Sequence, residues 1–386
     1  MPFLTEERRM IQEQAREFTL NEVLPVANKL DPEKGEIPMD LRDKMAELGY
    51  FGILIPEKYG GLGLGCSEYC IVTEELSRGW MSVASIIARG NLLIGSQEMS
   101  EEQRGRYLPR MAKGEFLGAF SMSEPNAGSD ISNISCRAKK DGSGYLISGN
   151  KYWCTFADGA DFMIIIARTS DAPAGKRHLG LSMFFVEKKR GELPKGCSGA
   201  PIPKIGYFGW KTWELAFDNF RIDAADLIGK EGEAFYYATS GLETARAHTA
   251  ARAIGLAQGA LDDSIRYAGD RKQFGHSISD FQAIRFKIAD MATQIEAARQ
   301  LMYFVCEQID TGQRCDKEAS MVKLFASEMA ERVTSEGIQI HGGAGYTTLH
   351  AVERHWRDAR LTKIFEGTSE IQKRIISDRL LGRGRN

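Results

Sequence analysis

The sequence predicts a multidomain α+β protein in which a module of strands sits between two helical ones. Three observations predict it. Apolar residues recur at helical spacing up to about residue 114 and again from about residue 230. Between them, short apolar runs broken by Gly, Asn, Asp and Pro mark strands. The helices of the last third are long, carry an apolar face and suit a bundle. The expected domains are therefore 1–114, helical; 115–229, a compact β domain; and 230–386, a helical bundle.

Leu4 to Met10 opens the first helix, with Thr5 as its cap. A second runs over 39–48 with Leu41, Met45 and Leu48 on one face, and Gly49 ends it. Gly61, Gly63 and Gly65 form a loop without the strand–helix frame and later acid of a dinucleotide fingerprint. Helices are expected at 67–79, 82–94 and 101–112, the last charged and mostly solvent-facing. Strands are expected at 145–150, 162–167, 181–186 and 214–217. Ser279 and Gln282 read as a capping box before a stripe of Phe281, Ile284, Ile288, Met291, Ile295, Leu301 and Phe304. A further helix covers about 317–340, and Ser369 with Gln372 reads as a capping box opening the last one.

With 386 residues the chain can hold two or three cores. A hydrophobic content of 43% and a charged content of 26% are those of a soluble globular protein. The net charge of −2, without a basic block, gives no electrostatic case for nucleic acid or an anionic membrane. No apolar run reaches the ~20 residues of a membrane span. The acidic start, Phe3-Leu4-Thr5-Glu6-Glu7, is neither a signal nor a transit peptide and points to the cytoplasm, with a mature mitochondrial-matrix chain as the alternative. Seven scattered cysteines suit reduced thiols. Cys66 and Cys70 have no second pair or nearby His, and His341, His350 and His355 lack a metal spacing, so no metal site is expected.

Five stretches can carry chemistry. In Ile364-Phe365-Glu366-Gly367-Thr368, two apolar residues precede a carboxylate in the bend before the last helix. They can desolvate it and raise its proton affinity, as a general base requires. Gly367 lets a ligand approach the backbone. The plainer alternative is an exposed Glu in a turn. Phe120 to Asp130 sets hydroxyls beside a Gly-containing turn, suited to a polar ring edge or a phosphate-bearing ligand. Lys151-Tyr152-Trp153-Cys154-Thr155 places an aromatic surface beside a hydroxyl, suited to a flat heterocycle. Arg271 and Phe274 suit a pyrophosphate and an adenine face. Gln339 to Tyr346 puts three glycines after a long helix, open to phosphates. Each stretch also has an ordinary reading as a strand, a turn or a helix end.

Taken together and in this order, the stretches resemble the acyl-CoA dehydrogenase family over essentially the whole chain. The resemblance implies an α-helical domain, a central β-barrel-like domain and a C-terminal four-helix bundle. It further implies FAD as cofactor and a homotetramer built as a dimer of dimers. Met122 and Ser123 would meet the flavin pyrimidine edge, Trp153 would pack on the isoalloxazine, and Thr155 would bond near N5. Arg271, Phe274, Gln339, Gly342 and Gly343 would reach the FAD of a neighbouring subunit, and Thr368 and Glu370 the flavin of their own. Ser129, Glu243, Arg246 and Gly367 match substrate-site positions, with Arg246 and Ser129 toward the CoA arm. Glu366 matches the catalytic base. Some relatives place that base where this chain has Ala245, which cannot act as one.

The implied reaction is α,β-dehydrogenation of an acyl-CoA thioester to a trans-2-enoyl-CoA. The Glu366 N–H and a ribityl hydroxyl would steady the thioester oxygen, and an electron-transferring flavoprotein would accept the electrons. An acyl-CoA oxidase, a β-eliminating relative or a non-catalytic scaffold are the alternatives on the same fold. Phe156 stands where Asn is common, Leu349 where an acid is usual, and the segment between Asn91 and Leu108 is short. Arg89 lies among Ile86, Ile87, Ala88 and Leu92, and either reads a polar acyl terminus or extends to solvent.

Overall fold

The computed structural model describes residues 3–91 and 97–383. The first helical module holds α1 (Glu6–Phe18), α2 (Leu24–Leu30), α3 (Met39–Glu47), α4 (Cys66–Gly79), α5 (Met81–Ile86), α6 (Ala88–Asn91) and α7 (Glu101–Ala112). Thr5 caps α1, its hydroxyl accepting from the Arg8 amide at 3.2 Å. One helix expected over 82–94 is two short ones, and 92–94 lie outside the described residues. The helix α7 is less solvent-facing than expected. Its Tyr107, Leu108, Met111 and Ala112 are buried, with Tyr107 stacked 4.2 Å from Phe185 of the strands.

The central module contains β1 (Gly118–Ser121), β2 (Arg137–Asp141), β3 (Gly144–Thr155), β4 (Phe162–Arg168), β5 (Leu181–Glu187), β6 (Cys197–Pro201), β7 (Thr212–Asp223) and β8 (Leu227–Ile228). The sheet runs β6-β7-β3-β2-β4-β5-β8, with β1 parallel on β4. It is open, not a closed barrel: β6 pairs only with β7 and β8 only with β5 among the described residues. Neither edge strand finds the other, so closure of the kind the family resemblance implied does not occur. The strand β4 is buried along its whole length, as a central strand should be.

The second helical module has α8 (Ala234–Ser240), α9 (Leu242–Asp270), the two-residue strands β9 (Lys272–Gln273) and β10 (His276–Ser277), α10 (Gln282–Asp310), α11 (Asp316–His341), α12 (Val352–Thr362) and α13 (Ser369–Leu380). The core of the bundle is α9, α10 and α11. Met291 and Ile295 of the expected stripe are buried, but Phe304 is 48% exposed. Both expected capping boxes are displaced. Ser279 lies in a 3-10 turn and bonds Ser277, so α10 starts after Phe281 without a side-chain cap. The cap of α13 is Thr368, whose hydroxyl accepts from the Ile371 amide, while Ser369 is buried and bonds Glu328 at 2.8 Å. A carboxylate joins the two helical modules. Asp310, at the end of α10, accepts from the Cys66 and Ser67 amides at the start of α4, at 2.6 and 3.0 Å. An anion at a helix N-terminus meets its unpaired donors and its dipole.

All seven cysteines are unpaired. The fold brings Cys306 of α10 to Cys66 and Cys70, 3.8 Å from the Cys66 sulfur, a neighbour their spacing did not reveal. Burial pushes the Cys70 thiol well up, so it stays protonated.

Candidate active site

Glu366 and Gly367 both take positive φ, 53° and 92°, in the turn between α12 and α13. Positive φ is uncommon for a residue with a Cβ and here is fixed from two sides. Lys323 of α11 and Gln372 of α13 both donate to the Gly367 carbonyl, at 2.7 and 3.0 Å. A Cβ on Gly367 would come within 2.5 Å of the Gln372 amide nitrogen. The turn therefore needs glycine at 367, and it projects Glu366 toward α9.

There the carboxylate meets Arg252 and Thr249. The Arg252 Nη2 donates to Oε1 at 2.6 Å and the Thr249 hydroxyl to Oε2 at 2.5 Å. Arg252 is itself held by the Ser85 hydroxyl at 3.0 Å and by Thr249 Oγ1 at 2.9 Å. A third of the Glu366 side chain, 34%, still faces open space, whereas Arg252 is 2% exposed. Burial alone would raise the Glu366 pKa, but the Arg252 charge and these hydrogen bonds outweigh it and hold it below the ordinary carboxylate value. The expected rise in proton affinity is thus reversed in this arrangement, because α9 supplies a cation the local sequence did not show. Nearby, the His248 ring lies tilted against Tyr69 at 4.8 Å, and burial, helped by Arg252, pushes its pKa down to about 3, so it is neutral. Burial also takes the Lys323 ammonium down to about 8.

The flavin-edge candidates lie on the strands. Trp153 has φ 64 at a register break between β3 and β7, which turns its ring out to 56% exposure. Thr155, two residues on, shares a 3.1 Å hydroxyl contact with Thr212. Met122 and Ser123 follow β1, and both their carbonyls are tied to β3: Lys151 Nζ donates to Met122 O at 2.9 Å and the Tyr152 amide to Ser123 O at 2.8 Å. The Lys151 ammonium also bonds Glu124 at 2.8 Å, with side-chain exposures of 0% and 4%. Glu124 accepts further from the Ser135 amide and hydroxyl and the Cys136 amide. One buried ion pair thus clamps the loop of Met122, Ser123 and Ser129 to the strand of Trp153 and Thr155. Lys151→Met is expected to destabilise the fold by about 3–5 kcal/mol, because Glu124 would stay buried without its cation. Reversible denaturation measures this, and a loss under ~1 kcal/mol would contradict the clamp.

The remaining candidates divide by the ends of α9. Glu243 and Arg246 sit in its first turns. Glu243 accepts from the Cys315 amide at 3.2 Å, and Arg246 is buried with its Nε unpartnered. Arg271 caps the other end, about 30 Å beyond Arg252 at 1.5 Å per residue. Gln339, Gly342 and Gly343 join Arg271 there, since α9 and α11 run side by side and His341 stacks 4.3 Å from Tyr267. Phe274, beside them, is 92% exposed at φ 51. Thr368 and Glu370 stay near Glu366 at the start of α13. Within one chain the structure therefore gathers Glu366, Gly367, Thr368 and Glu370, separately gathers Met122, Ser123, Trp153 and Thr155, and leaves the Arg271 group far from Glu366.

These residues fit an FAD. The outward Trp153 ring offers a flat face beside the Thr155 hydroxyl, the exposed Phe274 ring stands edge-on to Phe281 at 6.1 Å, and among the described residues no neighbouring group lies within 4 Å of where a Cβ would stand on Gly342 or Gly343. Sequence reasoning missed Thr249, Arg252, Lys323 and the Lys151–Glu124 pair. Their signal was a lone charge inside an apolar run, as in Ala250-Ala251-Arg252-Ala253-Ile254 and Val322-Lys323-Leu324.

The family model described as the acyl-CoA dehydrogenase N-terminal domain matches residues 5–115, that of the middle domain 119–220 and that of the C-terminal domain 232–381. The (2S)-methylsuccinyl-CoA dehydrogenase of Cereibacter sphaeroides is 41% identical over 98% of this chain and 70% of its own length. The caffeyl-CoA reductase-Etf complex subunit CarC of Acetobacterium woodii is 39% identical over 98% and 99%. The butyryl-CoA dehydrogenase of Megasphaera elsdenii has a TM-score of 0.91 at 34% identity, over 98% of this chain and 99% of that one.

Proposed function

This chain belongs to the acyl-CoA dehydrogenase family of flavoprotein oxidoreductases, and from that premise we propose that it converts an acyl-CoA thioester to a trans-2-enoyl-CoA with Glu366 as base. The observation that carries the reading is the Glu366 carboxylate, ionised, held by Arg252 and Thr249, and open to the cleft on one side. Glu366 takes the α-proton of the ester. FAD, when bound, supplies the two-electron acceptor for the β-hydrogen, which leaves as hydride. Trp153 and Thr155 orient the flavin, with Met122 and Ser123 at its edge and Thr368 and Glu370 nearby. Arg246 and Ser129 hold the CoA arm, with Glu243 and Gly367 shaping the same cavity. The distance of Arg271, Phe274, Gln339, Gly342 and Gly343 from Glu366 supports their serving a neighbouring subunit, hence a homotetramer built as a dimer of dimers.

An electron-transferring flavoprotein is the proposed electron partner, in keeping with the Etf complex of the Acetobacterium relative. That relative is named a reductase, which favours a second reading: the same residues working in reverse, with Glu366 returning the proton to an enoyl-CoA. No described helix is long and apolar enough to cross a membrane, and a cytoplasmic site is proposed.

Anaerobic titration of the purified flavoprotein with a panel of acyl-CoA esters tests the proposal. Bleaching of the bound flavin by one class of ester is the expected result. A yellow protein that no ester bleaches, and whose reduced form no enoyl-CoA reoxidises, would overturn both directions. A colourless protein that FAD cannot reconstitute would favour a scaffold.

A further inference from the structure

An aromatic wall leads away from the Glu366 turn. The Phe365 ring lies 5.9 Å from Tyr207, and Tyr207 lies 5.3 Å from Trp210. A guanidinium stacks on each end. Arg252 lies 4.6 Å from the centre of Phe365, and Arg89 lies 5.1 Å from that of Trp210. The two cations differ in one respect. Arg252 is fully engaged, by Glu366, Thr249, Ser85 and the His248 carbonyl. Arg89 makes no hydrogen bond and no ion pair among the described residues, and its Nε is shut off from water without an acceptor.

Arg89 points inward. Trp210 is 4% exposed, and the Arg89 charge bears on buried Cys154, Tyr207 and His248. The alternative of a side chain extended to solvent does not fit a guanidinium laid on a buried indole. Buried Arg168 and Arg354 show what the group ordinarily requires, whereas Arg246, also buried with its Nε unpartnered, is the candidate for the CoA arm. Arg168 donates to the carbonyls of Ser132, Ile134, Arg177 and Leu179, and Arg354 to Asn28 and the Gly79 carbonyl. Charge balance points the same way. Glu366 is taken by Arg252, the Asp358 carboxylate accepts from the Tyr207 amide at 2.6 Å, and the Lys204 ammonium donates to the Tyr207 and Trp210 carbonyls, so the charges along the wall are engaged by groups other than Arg89. Arg89 itself has no anion partner among the described residues.

We propose that Arg89 is a specificity-determining residue that binds a carboxylate at the distal end of the acyl group, so that the substrate is a dicarboxylyl-CoA thioester and not a simple fatty acyl-CoA. This rests on the dehydrogenase reading, with the reacting carbons at Glu366. The acyl chain lies along Phe365, Tyr207 and Trp210, and its far carboxylate meets the Arg89 fork, whose planar donors match two oxygens at once. A neutral acyl end leaves the guanidinium unpaired and gains only the contact of its methylenes.

The test compares straight dicarboxylyl-CoA esters of four to six acyl carbons with the same esters capped as ω-methyl esters and with monoacyl-CoA esters of equal length. Dissociation constants from the flavin spectrum and kcat/KM are measured for the wild-type holoenzyme, Arg89→Lys and Arg89→Met. The wild-type protein is expected to prefer one uncapped diacid over its capped form by about 100-fold, the worth of two charge-assisted hydrogen bonds. Arg89→Met should abolish that ratio and Arg89→Lys keep part of it. Equal handling of capped and uncapped esters by the wild-type protein, which needs no variant, would overturn the inference, as would a ratio unchanged in Arg89→Met. Bleaching by monoacyl esters without that preference would leave the dehydrogenase reading standing and remove the role of Arg89. Bleaching by no ester at all would remove both.

Discussion

Glu366→Gln is expected to retain flavin and CoA-ester binding and to lose at least ~10²-fold in the rate of flavin reduction, the low end for removal of a general base. The substitution keeps the shape of the side chain. Its carbonyl oxygen can still accept from Arg252, and its amide can donate to the Thr249 hydroxyl, so the turn at 366–367 keeps its supports in Lys323 and Gln372. The lost property is the ability to take a proton. Stopped-flow reduction under anaerobic conditions, beside a spectral binding titration, separates the two. Near-normal reduction by the variant would remove Glu366 from the role of base.

Arg252→Gln is expected to act on both acidity and stability. In the wild-type protein Glu366 has a depressed pKa, so its ionised form is fully present above the ordinary carboxylate value and is lost only as pH falls through the lower folded-state one. The stability that the pair contributes follows the same window: present above the unfolded-state pKa, lost on acidification through the folded-state pKa. Without Arg252 the burial of Glu366 is unopposed and its pKa rises. The acid limb of kcat/KM should then move to higher pH, with Arg252→Lys restoring part of the difference. Breaking the pair should also cost about 2–3 kcal/mol, less than for a fully enclosed pair because a third of Glu366 faces the cleft. A pH profile unmoved in Arg252→Gln would show that Arg252 does not set the acidity of the base.

The order of helices, strands and helices was readable because periodicity and glycine punctuation are local properties. The turn at Glu366–Gly367 was readable for the same reason. What surrounds Glu366 was not. Arg252 and Thr249 are 114 and 117 residues away in sequence, and only the fold of α9 against the turn makes them neighbours. That one distant cation reversed the direction of the expected pKa shift. Cys306, 240 residues from Cys66, was hidden in the same way. The two capping boxes matched a hydroxyl-to-Gln spacing that recurs by chance. The real start of α13 is set by the left-handed residues 366 and 367, which place the first free amides opposite Thr368. Sheet closure depends on whether two edge strands meet, and nothing in β6 or β8 announces that they do not.

The lock between Arg252 and Glu366 also bears on how selectivity and speed are divided. On the proposed reading, an ion-paired Glu366 is a weak proton acceptor toward a thioester that engages nothing else in the site. On that reading, reactivity is released by a ligand that draws the carboxylate off its cation. The free energy for that release would come from parts of the ligand remote from the reacting carbons, at the CoA arm and along the aromatic wall. A molecule that reaches only the base finds it occupied. One that also engages the CoA arm and the wall would find it freed.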